Sequence, residues 1–238
     1  MDMTTTPTEI IRMKEAGRGF RPAIRINNGL LGALEKRFLI WIANRLPQWV
    51  NSDHLTVLGL LGMIAAGACY AWSGTYPWML LAANVCLAIN WFGDSLDGTL
   101  ARVRNRQRPR YGFYVDHVVD IFGALALLGG MALSGRMSPL VAAGVLTAFL
   151  FLSIESYLAT YAIGEFHLSF GGVGPTELRL LVAIGNLFLM HFRMGHAFGH
   201  PMLVLDIGGI CAIAGMTVLM LWAVGTHTAL LYKQERLG

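Results

Sequence analysis

Four aspartates fall into two pairs, Asp94 with Asp97 and Asp116 with Asp120, three and four residues apart. Both pairs sit where long apolar stretches meet a run of arginines. On helices, Asp94, Asp97 and Ala101 share one face, and Gly112, Asp116 and Asp120 share another. A carboxylate costs about 2.5–3.5 kcal/mol at the centre of a bilayer and less toward its edges. Crowding four of them adds like-charge repulsion. Two Mg2+ ions would offset both penalties, and Mg2+ favours carboxylate oxygens combined with substrate phosphate and water. The pattern therefore points to phosphate chemistry at a divalent-metal site. Gly98 and Gly112 would let a bulky group approach the backbone. Arg102, directly after the first pair, is placed to reach a phosphate held there, whereas Arg104, Arg106 and Arg108 read as a solvated basic loop.

The elements that must position these groups are membrane helices. Of 238 residues, 55% are hydrophobic and only 13% are charged, against about 25% charged in soluble domains; the mean hydropathy is +0.55. A spanning helix needs roughly 20 mostly apolar residues. By that measure the sequence predicts an all-α, polytopic membrane protein with six transmembrane helices. Their bounds are about Leu55–Trp72, Pro77–Ala101, Tyr111–Leu133, Pro139–Ile163, Thr176–Phe192 and Pro201–Tyr232. Leu31–Leu46 reads as an amphipathic interfacial helix with Leu31, Leu34, Phe38, Trp41 and Ile42 on one face. Residues 1–28 read as a loosely ordered basic arm. The division is thus an arm and interfacial helix over 1–52, then a six-helix membrane domain over 53–238. Cys69, Cys86 and Cys211 lie in apolar stretches without metal-ligand spacing and read as packing residues. The polar N-terminus lacks the apolar core of a signal peptide.

Charge distribution predicts orientation. Of the 18 Lys and Arg, only Arg136 and Arg193 fall in the alternate loops; the rest share one side with both termini and the aspartate-bearing helix ends. By the positive-inside tendency that side is the cytoplasm, which puts the protein in the cytoplasmic (inner) membrane with its site facing inward.

Asp-x-x-Asp-Gly-x-x-Ala-Arg, a spacer, then Gly-x-x-x-Asp-x-x-x-Asp resembles the signature of the CDP-alcohol phosphotransferase family, with every fixed position present: Asp94, Asp97, Gly98, Ala101, Arg102, Gly112, Asp116 and Asp120. The spacer, Val103–Tyr111, is at or slightly beyond the family's usual length. The resemblance implies transfer of a substituted phosphate from a CDP-linked donor to an alcohol, with release of CMP, in phospholipid biosynthesis. It implies Asp94, Asp97 and Asp116 as metal ligands, with Asp120 completing the site of two Mg2+ (or Mn2+) ions and acting as base on the acceptor hydroxyl. Gly98, Ala101 and Gly112 would shape the cytidine pocket. A homodimer in the bilayer is also implied.

The donor is either CDP-diacylglycerol, meeting a small soluble alcohol, or a CDP-aminoalcohol, meeting a lipid. The segment Gly174-Pro175-Thr176-Glu177 and Ile121 after Asp120 resemble the second branch; the short chain favours the first. Asn51 and Thr56 resemble a polar pair before the family's first helix and would touch nucleotide or cap that helix. Glu177 and Arg179 would contact substrate or solvent. Glu155, within the fourth span, would line the cavity or bond a neighbouring helix while protonated. Asp206 reads as interfacial or structural, His191, His196 and His200 as incidental, and His117 as pointing away from the metal site. Two other classes stand beside this reading. An intramembrane Mg-dependent prenyltransferase has its aspartate motifs far apart in sequence, and a divalent-cation channel or carrier places acids near midplane, often in repeats.

Overall fold

The computed structural model describes residues 24–26, 32–167, 174–197 and 199–236. Among them are seven helices: α1 (Gly32–Ala43), α2 (Ser52–Ser73), α3 (Met79–Val103), α4 (Pro109–Leu133), α5 (Pro139–Ala162), α6 (Pro175–Leu189) and α7 (Val204–Gln234). α2, α3, α4, α5 and α7 are long and apolar enough to cross a membrane. Their starts follow local chemistry: α4, α5 and α6 each have proline in the first turn, where no backbone donor is lost.

α6 occupies the expected fifth span and is the shortest of the membrane-domain helices among the described residues. It has 15 residues, about 22 Å at 1.5 Å per residue, against a hydrocarbon core of about 30 Å. Pro175 sets its start, and its other end is held by Arg136, whose Nη1 donates to the Leu189 carbonyl at 3.0 Å. The chain then enters a hairpin absent from the sequence reading, β3 (Met194–Ala197) against β4 (His200–Leu203). Gly199 turns it with φ of 79°. Before these come β1 (Ile24–Ile26) and β2 (Glu165–His167), paired in parallel. Thus part of the expected arm is strand; the rest of residues 1–28 lies outside the described residues.

α2 is the hub, packed along both α3 and α4. Without a hydrophobic force between helices in lipid, close backbone approach does the work, and small residues permit it. A Cβ on Gly93 would stand 2.5 Å from the Leu55 carbonyl oxygen, and one on Gly130 would stand 1.9 Å from that of Gly67. Near the end opposite the basic loop, a buried polar chain adds registry. Tyr70 Oη donates to Asn186 Oδ1 (2.6 Å), Asn186 Nδ2 to Asn84 Oδ1 (2.7 Å), and Asn84 Nδ2 to the Ala183 carbonyl (3.0 Å). Tyr70, Leu80, Ala83 and Met131 form the apolar core around it.

The same end carries two charged ties. Buried Arg136 donates through Nε to the Ser73 carbonyl at 2.9 Å; burial, with Arg193 nearby, lowers its pKa from the usual arginine value. Asp206, also buried, accepts from the Ser138 backbone at 2.7 Å and from its hydroxyl at 2.5 Å, fastening the start of α5 to α7. It is structural, one of the two roles its position suggested. Glu155 bonds His227 Nδ1 at 2.6 Å between α5 and α7 and lines neither cavity at the aspartates.

At the basic end, α1 packs Leu39 and Ala43 onto Leu55, Leu96 and Leu100. Phe38 and Trp41 remain exposed, so the face buried against the bundle is offset from the apolar face read in the sequence. The outward aromatics fit an interfacial helix.

Candidate active site

The paired aspartates converge. α3 and α4 are joined by the short arginine loop, and α2 packs along both, bringing Thr56, Gly59 and Leu60 to the aspartates. A void of about 20 Å³ is bordered by Asp94, Asp97, Asp116 and Asp120, with Thr56, Asn90 and Gly123 among its other walls. That is room for roughly one water-sized species. Beside it opens a cleft of about 460 Å³, lined by Ser52, Asp53 and Thr56 from α2, Asp97, Gly98, Ala101 and Arg102 from α3, Arg106–Pro109 from the loop, and Tyr111, Gly112 and Asp116 from α4. Thr56, Asp97 and Asp116 belong to both spaces. Asp94, Asp97 and Asp116 are half-buried and Asp120 is exposed; Asp94 and Asp120 border the void but not the cleft.

Protein groups hold two of the carboxylates. Thr56 Oγ1 donates to Asp97 Oδ2 at 2.6 Å, and the Gly98 backbone N–H donates to Asp97 Oδ1. Arg179 Nη2 donates to Asp94 Oδ2 at 2.5 Å, while its Nε donates to Asn90 Oδ1 at 2.9 Å. Asn90 is itself oriented by its Nδ2 bond to the Gly59 carbonyl at 3.0 Å. With these partners in place, no three His, Cys, Asp or Glu groups among the described residues are gathered so as to hold a metal ion. The donor set nonetheless fits a hard divalent cation: carboxylate oxygens alone, from four side chains, around one small void.

The two motif glycines also fit a substrate cleft. A Cβ on Gly112 would meet nothing within 4 Å, and one on Gly98 would meet only the Arg102 guanidinium, 3.5 Å away. Packing therefore explains Gly93 and Gly130 but not Gly98 or Gly112. Arg102 lines the cleft and donates to Thr99 Oγ1 at 3.0 Å.

Other readings shift. Thr56 is an inner wall of the site, whereas Asn51 is exposed, caps α2 and lines neither space; its N–H donates to His54 Nδ1 at 3.2 Å. Glu177 accepts the Gly174 N–H at 3.0 Å, capping α6, while Arg179 reaches Asp94. Arg104 and Arg108 are not simply solvated. Arg104 ties the loop before α2 by donating to the carbonyls of Leu46 (2.8 Å), Pro47 (3.0 Å) and Val50 (2.5 Å). Arg108 pairs with Asp53 and lies 4.1 Å over the Tyr111 ring. Buried His117 is spent on the Phe113 carbonyl and the edge of Tyr157, as expected away from the aspartates. His191, His196 and His200 are exposed. Asn90 was missed, although a signal existed: a polar residue four before Asp94, on the same face of an apolar helix.

A helical membrane protein with an acidic void opening to a glycine-floored cleft has the build of an enzyme acting on phosphate esters at a bilayer surface. The chain belongs to the CDP-alcohol phosphatidyltransferase family, whose model matches residues 49–229. It is 30% identical over 148 residues to an archaetidylinositol phosphate synthase of Pyrococcus horikoshii, covering 58% of this chain and 70% of that one. It is 31% identical over 150 residues to an archaetidylinositol phosphate synthase of Methanothermobacter thermautotrophicus, covering 61% and 67%. The protein is accordingly a CDP-alcohol phosphotransferase of phospholipid synthesis, using a CDP-linked donor and an alcohol acceptor in a membrane. Members of the family generally depend on divalent metal. The prenyltransferase and cation-carrier readings fall with this membership.

Proposed function

We propose that the enzyme transfers a lipid-linked phosphate from a CDP-lipid to a polyol phosphate, with the reaction centred on the void between Asp94, Asp97, Asp116 and Asp120. The observation that carries this reading is the convergence of all four motif carboxylates on one void that opens into a cleft floored by two glycines unexplained by packing. The similarity to archaetidylinositol phosphate synthases supports a lipid on the donor side and a phosphorylated acceptor. The Gly174–Glu177 segment, which resembles the aminoalcohol branch, is accounted for as the cap of α6.

Asp94, Asp97 and Asp116, with Asp120 closing the set, would hold two Mg2+ ions. Bound there, the ions neutralise the diphosphate and stabilise CMP as it leaves. Arg179, which pairs with Asp94 at the edge of the void, would meet an anionic group of the acceptor, with Glu177 fixing its helix end. Asp120, at the wall of the void, takes the proton from the acceptor hydroxyl as that oxygen attacks the phosphorus bearing the lipid. The phosphorus–oxygen bond to CMP breaks, and CMP carries the bonding pair away. Gly98, Ala101 and Gly112 leave room for the nucleotide, and Arg102 steadies its phosphate.

The clustering of basic residues at this end supports a cytoplasmic site and cytoplasmic termini, with the protein in the inner membrane. The family resemblance supports a homodimer, which cross-linking in native membranes tests. Purified protein with Mg2+ or Mn2+ and a panel of donors (CDP-diacylglycerol, its ether-lipid counterpart, CDP-choline, CDP-ethanolamine) and acceptors tests the chemistry by CMP release. The expected outcome is release with a CDP-lipid and inositol phosphate; release only with CDP-aminoalcohols and diacylglycerol would reverse the donor assignment. Asp120→Asn should abolish turnover while retaining donor binding, and unchanged turnover removes it from the base role.

A further inference from the structure

One charged group close to the site has no part in the chemistry just described. Glu35, in the first turn of α1, accepts three side-chain donors from two other helices. Trp91 Nε1 (2.7 Å) and Ser95 Oγ (3.1 Å) reach its Oε1 from α3. Thr176 Oγ1 bridges both oxygens from the first turn of α6, at 3.0 and 3.1 Å. An ionised carboxylate suits this role because it accepts on two oxygens at once and donates nothing.

The position of these donors gives the contact a consequence. Trp91 and Ser95 each follow directly after the two residues that grip Arg179, Asn90 and Asp94. Thr176 precedes Arg179 by three residues, one helical turn. Farther along α6, Asn186 and Ala183 are bonded to Asn84 of α3. At the basic end the Glu35 bridge and the Arg179 grip share the task of seating α6. α1 itself has 12 residues, a length at which isolated helices are marginal, so its place depends on packing against α3 and on this bridge.

We propose that Glu35 is a positioning residue: from the surface helix it holds the first turn of α6 against α3, and so holds Arg179 at the Asp94 edge of the active site. The proposal rests on the aspartate void being that site, so one arm of its test does not depend on turnover. In that arm, full-length protein with Cys69, Cys86 and Cys211 replaced by alanine carries spin labels at exposed Lys36 and Leu178. Pulsed electron resonance in vesicles then measures the α1–α6 distance. Glu35→Ala and Thr176→Val should each broaden a narrow distribution.

In the second arm, CMP release from CDP-diacylglycerol with inositol phosphate and Mg2+ should fall on the order of tenfold in kcat/KM for either variant. Glu35→Gln, which keeps an acceptor in place, should restore most of it. In an Arg179→Ala background the loss from Thr176→Val should disappear, because the effect runs through Arg179. Unchanged distances, wild-type kinetics in both variants, or an equal loss without Arg179 would each overturn the proposal. Absence of CMP release from the wild-type protein would count against the reaction, leaving the distance measurement to decide the role of Glu35.

Discussion

Two glycine-to-alanine substitutions on the same helix should behave oppositely, and the contrast tests the assignment of the cleft. Gly112 and Gly130 both lie in α4. At Gly130 an added Cβ stands 1.9 Å from the Gly67 carbonyl oxygen, so α2 and α4 must part by more than an ångström. Overpacking of this kind costs about 1–3 kcal/mol, and the hub helix carries the strain. At Gly112 the added methyl meets nothing within 4 Å. Alanine there should gain up to about 1 kcal/mol from helix propensity, while its methyl projects into the space reserved for the donor. A misfit of about 1–3 kcal/mol against substrate corresponds to roughly 5- to 150-fold. The assay pairs thermal unfolding in detergent with CMP release as donor concentration varies. Gly112→Ala should melt at or above the wild-type temperature with KM for the donor raised by that factor. Gly130→Ala should melt several degrees lower, with KM little changed in the folded fraction. Wild-type kinetics for Gly112→Ala would refute the placement of the donor in this cleft, and a stability loss matching that of Gly130→Ala would refute the packing argument.

Two further outcomes follow from single hydrogen bonds. Thr56→Val keeps the side-chain shape but removes the donor to Asp97, so the Mg2+ concentration for half-maximal CMP release should rise about 10- to 100-fold; a shift under twofold would mean Asp97 needs no such orienting partner. Tyr70→Phe removes the hydroxyl from Asn186 and should lower stability by about 0.6–1.7 kcal/mol, the range for side-chain bonds between membrane helices, with turnover intact when assayed well below the melting temperature.

The bundle and the two aspartate-bearing helix faces were legible in the sequence because both rest on local periodicity. Apolar runs of spanning length announce helices wherever they occur. The spacing of Asp94 with Asp97, and of Asp116 with Asp120, sets each pair on one face before any neighbour is known. Charge at the loops likewise marks which helix ends lie together.

What only the tertiary structure decided are the partners drawn from distant segments. Nothing in the residues near Thr56 says that its hydroxyl meets Asp97, 41 positions on, or that Arg179 grips Asp94 from the first turns of another helix. Glu35 reads locally as one charge on an amphipathic turn; only the approach of α3 and α6 makes it a junction. Arg104 reads as a solvated loop cation until the carbonyls before α2 close around it. The glycines make the division plainest. Gly93, Gly112 and Gly130 are the same residue in the same helical conformation, and only the neighbour across the interface, or the lack of one, tells a packing glycine from one that leaves room for substrate.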